Sequence, residues 1–115
     1  MRGEEAERLA AATLIARGLR LRERNFRCRG GEIDLIMEDG GTLVFVEVRL
    51  RTHGAYGSGA ESVDARKRGR LVRCAQAYLQ QLGPGWTGPC RFDVMAIDSL
   101  DPPRPQWIKN AFGQD

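Results

Sequence analysis

Residues 31–51 read GEIDLIMEDGGTLVFVEVRLR, and the fold of this chain turns on them. The segment 31–38 alternates, with Ile33, Leu35 and Met37 on one face and Glu32, Asp34 and Ile36 on the other, which is the period of a β-strand. Asp39-Gly40-Gly41 marks a tight turn. In 42–50, TLVFVEVRL, Val44, Val46, Val48 and Leu50 share one face and Leu43, Phe45, Glu47 and Arg49 the other. Both faces are largely apolar, so this strand is expected at the centre of a sheet.

Two carboxylates interrupt this apolar hairpin. Asp34 lies between Ile33 and Leu35, and Glu47 between Val46 and Val48. An unpaired carboxylate is costly to bury, so each needs a cation, a hydrogen-bond cage or a metal. A loop centred on Gly40-Gly41 sets Asp34 opposite Glu47 and Glu32 opposite Arg49. A loop of Asp39-Gly40 sets Asp34 opposite Phe45 and Glu32 opposite Glu47, leaving Asp34 and Glu47 diagonal neighbours on one face. In either register the two acids repel unless a divalent cation lies between them. Oxygen ligands and a phosphate partner suit Mg²⁺ or Mn²⁺. An acid, a turn, then Glu-x-basic on an apolar strand is a nuclease pattern. Asp34 and Glu47 would hold a metal that binds a phosphodiester and activates water, and Arg49 would reach the developing charge.

Working outward, Ala6, Leu9, Ala10, Thr13, Leu14 and Arg17 recur at helical spacing within 4–17, with Gly18 as the C-terminal cap. Residues 19–27 read as an edge strand with a basic outer face. Residues 52–60 are Gly-rich and aperiodic, a flexible loop in which Gly54, Gly57 and Gly59 would let the chain wrap a duplex. A second helix is expected over about 61–82, with Leu71, Ala75, Tyr78, Leu79 and Leu82 as its buried stripe and Gly83-Pro84-Gly85 as its stop. Residues 90–98 read as a further strand, Pro102 and Pro103 break it, and 106–112 form a short strand or turn. Helix, three antiparallel strands, helix and strand make one layered α/β domain over 1–115, a mixed central sheet flanked by helices.

Composition narrows the class. A chain of 115 residues buries roughly 65% of its unfolded surface and sustains a core without staples. With 42% hydrophobic and 29% charged residues it reads as globular, and no apolar run approaches a membrane span. Met1 to Glu5 carry no apolar signal region, so the cytosol is the expected location and no membrane partner is expected. Of 18 basic side chains all are Arg except Lys67 and Lys109, a skew compatible with phosphate recognition. His53 is the only histidine, and Cys28, Cys74 and Cys90 are widely spaced, which excludes a structural zinc site. The cysteines are expected to be free, buried or half-buried thiols.

The segments Gly31-Glu32-Ile33-Asp34-Leu35-Ile36 and Phe45-Val46-Glu47-Val48 carry a resemblance that covers nearly the whole chain. So do Gly3 with Glu7, Arg24-Asn25, Lys67 with Leu71, Ala77-Tyr78-Leu79, Arg91-Phe92-Asp93-Val94 and Asn110-Ala111-Phe112. The chain resembles the YraN family, uncharacterised protein family UPF0102, which is similar to the PD-(D/E)XK restriction-endonuclease-like nucleases and, among them, the Holliday-junction resolvases. The resemblance implies a restriction-endonuclease-like fold with metal ligands Asp34, Glu47 and Glu7, Glu7 being the extra carboxylate of resolvase-like members. It also implies a DNA substrate, branched or junction DNA included, and by analogy a homodimer. The chain departs from the pattern at Arg49, where the nucleases have Lys. Arg cannot serve as a base, though it stabilises charge, and Lys67 would supply the missing ammonium.

Arg66, Lys67, Arg68, Arg70 and Arg73 fall within eight residues, and Arg20, Arg22, Arg24, Arg27 and Arg29 line the first strand. Such clusters neutralise phosphates. Arg24, Arg51, Arg66, Arg68 and Arg70 are the expected nucleic-acid contacts. Tyr56, Trp86 and Trp107 fit packing better than base stacking. A nuclease leads these readings. A DNA-binding module without turnover, favoured by Arg49, and a protein-docking domain are the alternatives.

Overall fold

The computed structural model describes residues 2–50, 63–100 and 102–113. Arg51, His53, Gly54, Tyr56, Gly57 and Gly59 lie outside them, so the expectations placed on Arg51 and the glycine-rich loop do too. Helix α1 (Arg2–Ala16) is followed by strands β1 (Arg20–Cys28), β2 (Gly31–Asp39) and β3 (Thr42–Leu50). Helix α2 (Ala65–Leu82), a 3₁₀ turn (Gly83–Gly85), β4 (Cys90–Leu100) and β5 (Pro103–Phe112) complete the chain. The strands form one sheet in sequence order, antiparallel except where β3 and β4 run parallel. β3 is the central strand, as its two apolar faces require, and β5 settles the tail as an edge strand. The result is a single α/β domain with a five-stranded mixed sheet and two helices. No helix among the described residues is long and apolar enough to cross a membrane.

The helices cover opposite faces. Ala6, Ala10, Ala11 and Leu14 of α1 pack on Leu35, Met37, Val44, Val46, Met95 and Ile97. Leu71, Cys74, Ala75 and Tyr78 of α2 pack on Ile36, Leu43, Phe45, Phe92 and Val94. Small residues on α1 bring its backbone close to the sheet, and Gly18 ends it at φ 99°, a conformation an L side chain resists. Helix α2 starts at Ala65, where the Asp64 side chain accepts a 2.9 Å hydrogen bond from the Lys67 amide.

The β2–β3 ladder pairs Leu35 with Val46, Ile36 with Phe45 and Asp39 with Thr42, the register of the Gly40-Gly41 loop. The Asp39-Gly40 alternative is thereby excluded. Strict alternation fails at one place: Ile33 pairs with Phe26 and joins the α2-side core, away from Leu35 and Met37. The preceding residue of β1, Asn25, has φ 51° and interrupts the regular pleat, and Phe26 beyond it meets Tyr78 edge-on at 5.1 Å.

The cysteines correct the sequence reading. Cys28 and Cys74 form a disulfide, with Cα atoms 5.4 Å apart, and only Cys90 is a free thiol. They are 46 residues apart in sequence, and only the packing of α2 across the end of β1 makes them neighbours. A Cβ on Gly31 would lie 3.3 Å from Cys74 Sγ and 3.5 Å from Arg70 Cβ, so a glycine there lets α2 approach β2.

A second buried carboxylate holds the far edge. Asp93 is 0% exposed and accepts from Arg91 Nε at 3.0 Å, Trp107 Nε1 at 2.8 Å and the Asn110 amide at 2.8 Å. Arg91 also donates to Asp39 at 2.9 Å. With every oxygen satisfied, Asp93 joins β5 to β4 and the β2–β3 turn, and this accounts structurally for the Arg91–Val94 and Asn110–Phe112 segments. Trp107 is used in packing, as expected. Trp86 donates to Gly88 O at 3.0 Å and lies under the Arg22 guanidinium.

Candidate active site

Past Leu35 and Val46 the β2–β3 ladder stops, and the Asp34 side chain takes over. Asp34 Oδ2 accepts the Val48 amide at 2.8 Å, so a carboxylate replaces a backbone carbonyl at the point where the strands part. Beside it opens a cavity of about 270 Å³, walled by Gly31, Glu32 and Asp34 of β2, Glu47 of β3, and Lys67 and Arg70 of α2.

Glu47 is buried, its side chain 4% exposed, and its Oε2 lies 2.7 Å from Lys67 Nζ and 3.7 Å from Arg49 Nη1. Lys67 arrives there because the buried stripe of α2 (Leu71, Cys74, Tyr78) continues one turn back through position 67. The sequence placed the missing ammonium on Lys67, and the geometry puts it against the predicted Glu47. Arg49 joins the same pair.

On the other side of Asp34 lie Glu7 and Glu32. One oxygen each of Glu7, Glu32 and Asp34 falls within 4.8 Å of the other two. Asn25 Nδ2 donates to Glu7 Oε1 at 3.1 Å and to Glu32 Oε2 at 2.8 Å. Helix α1 thus brings Glu7 to Asp34, as the resemblance implied. Glu47 adjoins Asp34 but is held by Lys67, and Glu32 is the acid that completes the oxygen cluster. Sequence reasoning placed Glu32 and Asp34 on one face yet gave Glu32 no role. For Asn25 the available signal is an Asn, a residue tolerant of left-handed backbone, within a basic strand.

Burial, and then the charges of Glu47 and Glu7, push the Asp34 carboxyl up to about 8, against the lowering effect of the Val48 amide. Crowded acids of this kind hold a proton or a cation. The donor set fits the latter: hard carboxylate oxygens, close enough for small rotations to bring them to Mg²⁺ or Mn²⁺ distances of about 2.0–2.2 Å.

The predicted nucleic-acid contacts divide. Arg66 and Arg70 are exposed, Arg70 at the cavity wall. Arg24 is exposed on β1 near Glu4, Glu7 and Arg8. Arg68 faces elsewhere: Nε donates to Val63 O at 2.8 Å and the guanidinium covers the Phe112 ring at 5.4 Å, so its charge is spent on packing.

These features define a small α/β protein with a carboxylate cluster and a Lys–Glu pair at the mouth of a split β-hairpin. The model of uncharacterised protein family UPF0102 matches residues 6–97, and the chain belongs to that family. It is 54% identical over 110 residues to a UPF0102 protein of Ectopseudomonas mendocina, the match covering 96% of this chain and 92% of the relative. It is 51% identical over 114 residues to one of Pseudomonas paraeruginosa (96% and 91%) and 50% identical over 112 to one of Nitrosococcus oceani (96% and 90%).

Proposed function

We propose that the protein is a metal-dependent nuclease acting on DNA, with branched or junction DNA within its substrate class. The observation that carries this reading is the meeting of Asp34, Glu47 and Lys67 at one cavity, beside the carboxylates of Glu7 and Glu32. The order α1, β1 to β3, α2, β4, with acids on β2 and β3, supports the restriction-endonuclease-like fold implied by the sequence.

Asp34, Glu7 and Glu32, with Glu47 beside them, would hold Mg²⁺ or Mn²⁺. Such an ion supplies Lewis acidity toward a phosphate oxygen and acidifies nearby water. The chain's own residues do the rest. Lys67 and Arg49 place two cations at Glu47, where phosphate charge would develop in the transition state. Lys67 takes the ammonium position that Arg49 cannot fill as a proton acceptor. Arg70 at the cavity wall and the exposed Arg66 in the first turn of α2 offer guanidinium groups to the phosphate backbone.

Labelled duplex, flap and four-way-junction DNA incubated with Mg²⁺, Mn²⁺ or EDTA tests the reading. Cleavage that needs the metal and disappears in Asp34→Ala and Glu47→Ala is expected. Cleavage unchanged in both variants would place the chemistry elsewhere. A DNA-binding module without turnover is the second reading, favoured by Arg49 at the motif position. It requires binding that survives EDTA and no cleavage with any metal, and restoration of activity by Arg49→Lys separates a disabled nuclease from a pure binder.

A further inference from the structure

Asn25 is exposed, on an edge strand, and held at φ 51°, a region where a non-glycine residue is uncommon. Its single amide nitrogen donates to two carboxylates from two elements, Glu7 of α1 at 3.1 Å and Glu32 of β2 at 2.8 Å. The opposite amide orientation would set Oδ1 against both acids, so charge decides which atom faces them. Asn combines tolerance of that backbone conformation with an uncharged donor. Asp would add a fourth acid. Gly would keep the backbone and lose the donor. Lys or Arg would put a full cation where a metal competes.

We propose that Asn25 is a positioning residue, acting through Glu7 and Glu32. Its amide holds the two carboxylates together against their mutual repulsion and beside Asp34, in the arrangement that accepts a divalent cation. Without it, Glu7 on its helix and Glu32 on its strand have no common tether among the described residues, and mutual repulsion turns them outward. This inference rests on the divalent-cation reading of the site and assigns a role to a residue outside the acids themselves.

The test is Mn²⁺ affinity by calorimetry, with thermal melts in EDTA and in saturating Mn²⁺, on wild type, Asn25→Gly and Asn25→Asp. Asn25→Gly should bind Mn²⁺ roughly 10–100-fold more weakly, as loss of an outer partner of a ligand does, while its EDTA melting point stays within about 3 °C of wild type. Asn25→Asp should melt about 4 °C below wild type in EDTA and recover most of that deficit in Mn²⁺, because the added charge repels acids and attracts the cation. Wild-type affinity in Asn25→Gly overturns the positioning role alone. So does a melting deficit in either variant that is large in EDTA and unchanged by Mn²⁺, which marks a structural brace. Failure of the wild type itself to bind Mn²⁺ overturns the cation reading and this inference with it.

Discussion

Replacing Asp34 by Asn should stabilise the metal-free protein at neutral and alkaline pH. Asp34 is half-buried against Glu47 and Glu7, and its carboxyl is pushed up to about 8 from an ordinary 3.8. Between those values the folded protein keeps a proton that the unfolded chain has released. Stability therefore falls as pH rises through that window, by at most about 1.4 kcal/mol per pH unit, and the loss is complete above about 8. The amide side chain keeps a carbonyl oxygen to accept the Val48 amide, now 2.8 Å from Oδ2, and never has to ionise. The full span corresponds to a ceiling of about 6 kcal/mol; partial exposure and the nearby Lys67 and Arg49 bring the expected gain at pH 8.5 to about 1–3 kcal/mol. For a domain of this size that is roughly 4–12 °C in Tm. Urea and thermal unfolding from pH 5 to 9 in EDTA measure it, and the variant's advantage should grow with pH. With Mn²⁺ at about 100 times its Kd the ordering narrows or reverses, since wild type gains about 2.7 kcal/mol that the Asp34→Asn variant forgoes. Parallel pH profiles, or a variant less stable at every pH, would refute the picture of crowded, cation-seeking acids.

Three further expectations follow from other contacts. Reducing Cys28–Cys74 opens a loop of 46 residues and should cost about 4 kcal/mol by chain entropy, a Tm drop of at least about 10 °C in scanning calorimetry with and without a dithiol. Lys67→Met removes the 2.7 Å cation contact of buried Glu47 and leaves it the more distant Arg49 beside the acid Asp34; a loss of about 1–3 kcal/mol in urea unfolding is expected, with cleavage abolished, and Glu47→Gln on that background should restore stability but no cleavage. In DNA-binding titrations against salt, Arg66→Ala and Arg70→Ala should each lower the slope of log K on log salt by about 1, whereas Arg68→Ala, whose guanidinium lies on Phe112 and Val63, should leave the slope unchanged and cost stability.

Much of this arrangement was legible in the chain because local rules wrote it. The period-two alternation of 31–38 and 42–50 named two strands, while the turn left two registers open and the ladder settled on that of the Gly40-Gly41 loop. Asp34 and Glu47 stood out because charges in apolar strands demand a reason. Lys67, the one lysine near the start of α2, was the ammonium the sequence offered. The break at Ile33 was hidden, since nothing in an alternating string announces a left-handed residue on the neighbouring strand.

Sequence alone therefore determined the two helices and the strands β1 to β4, the central place of β3, the family resemblance and the two acids at its heart. These depend on periodicity, turn chemistry and the cost of burying charge, all of which act over a few residues. Tertiary structure decided what depends on distant segments meeting. It joined Cys28 to Cys74, set Lys67 on Glu47, turned Arg68 away onto Phe112, and brought Glu7 and Glu32 under one amide of Asn25. The physical reason is that helix packing on a twisted sheet chooses such neighbours, and spacing along the chain carries no record of that choice.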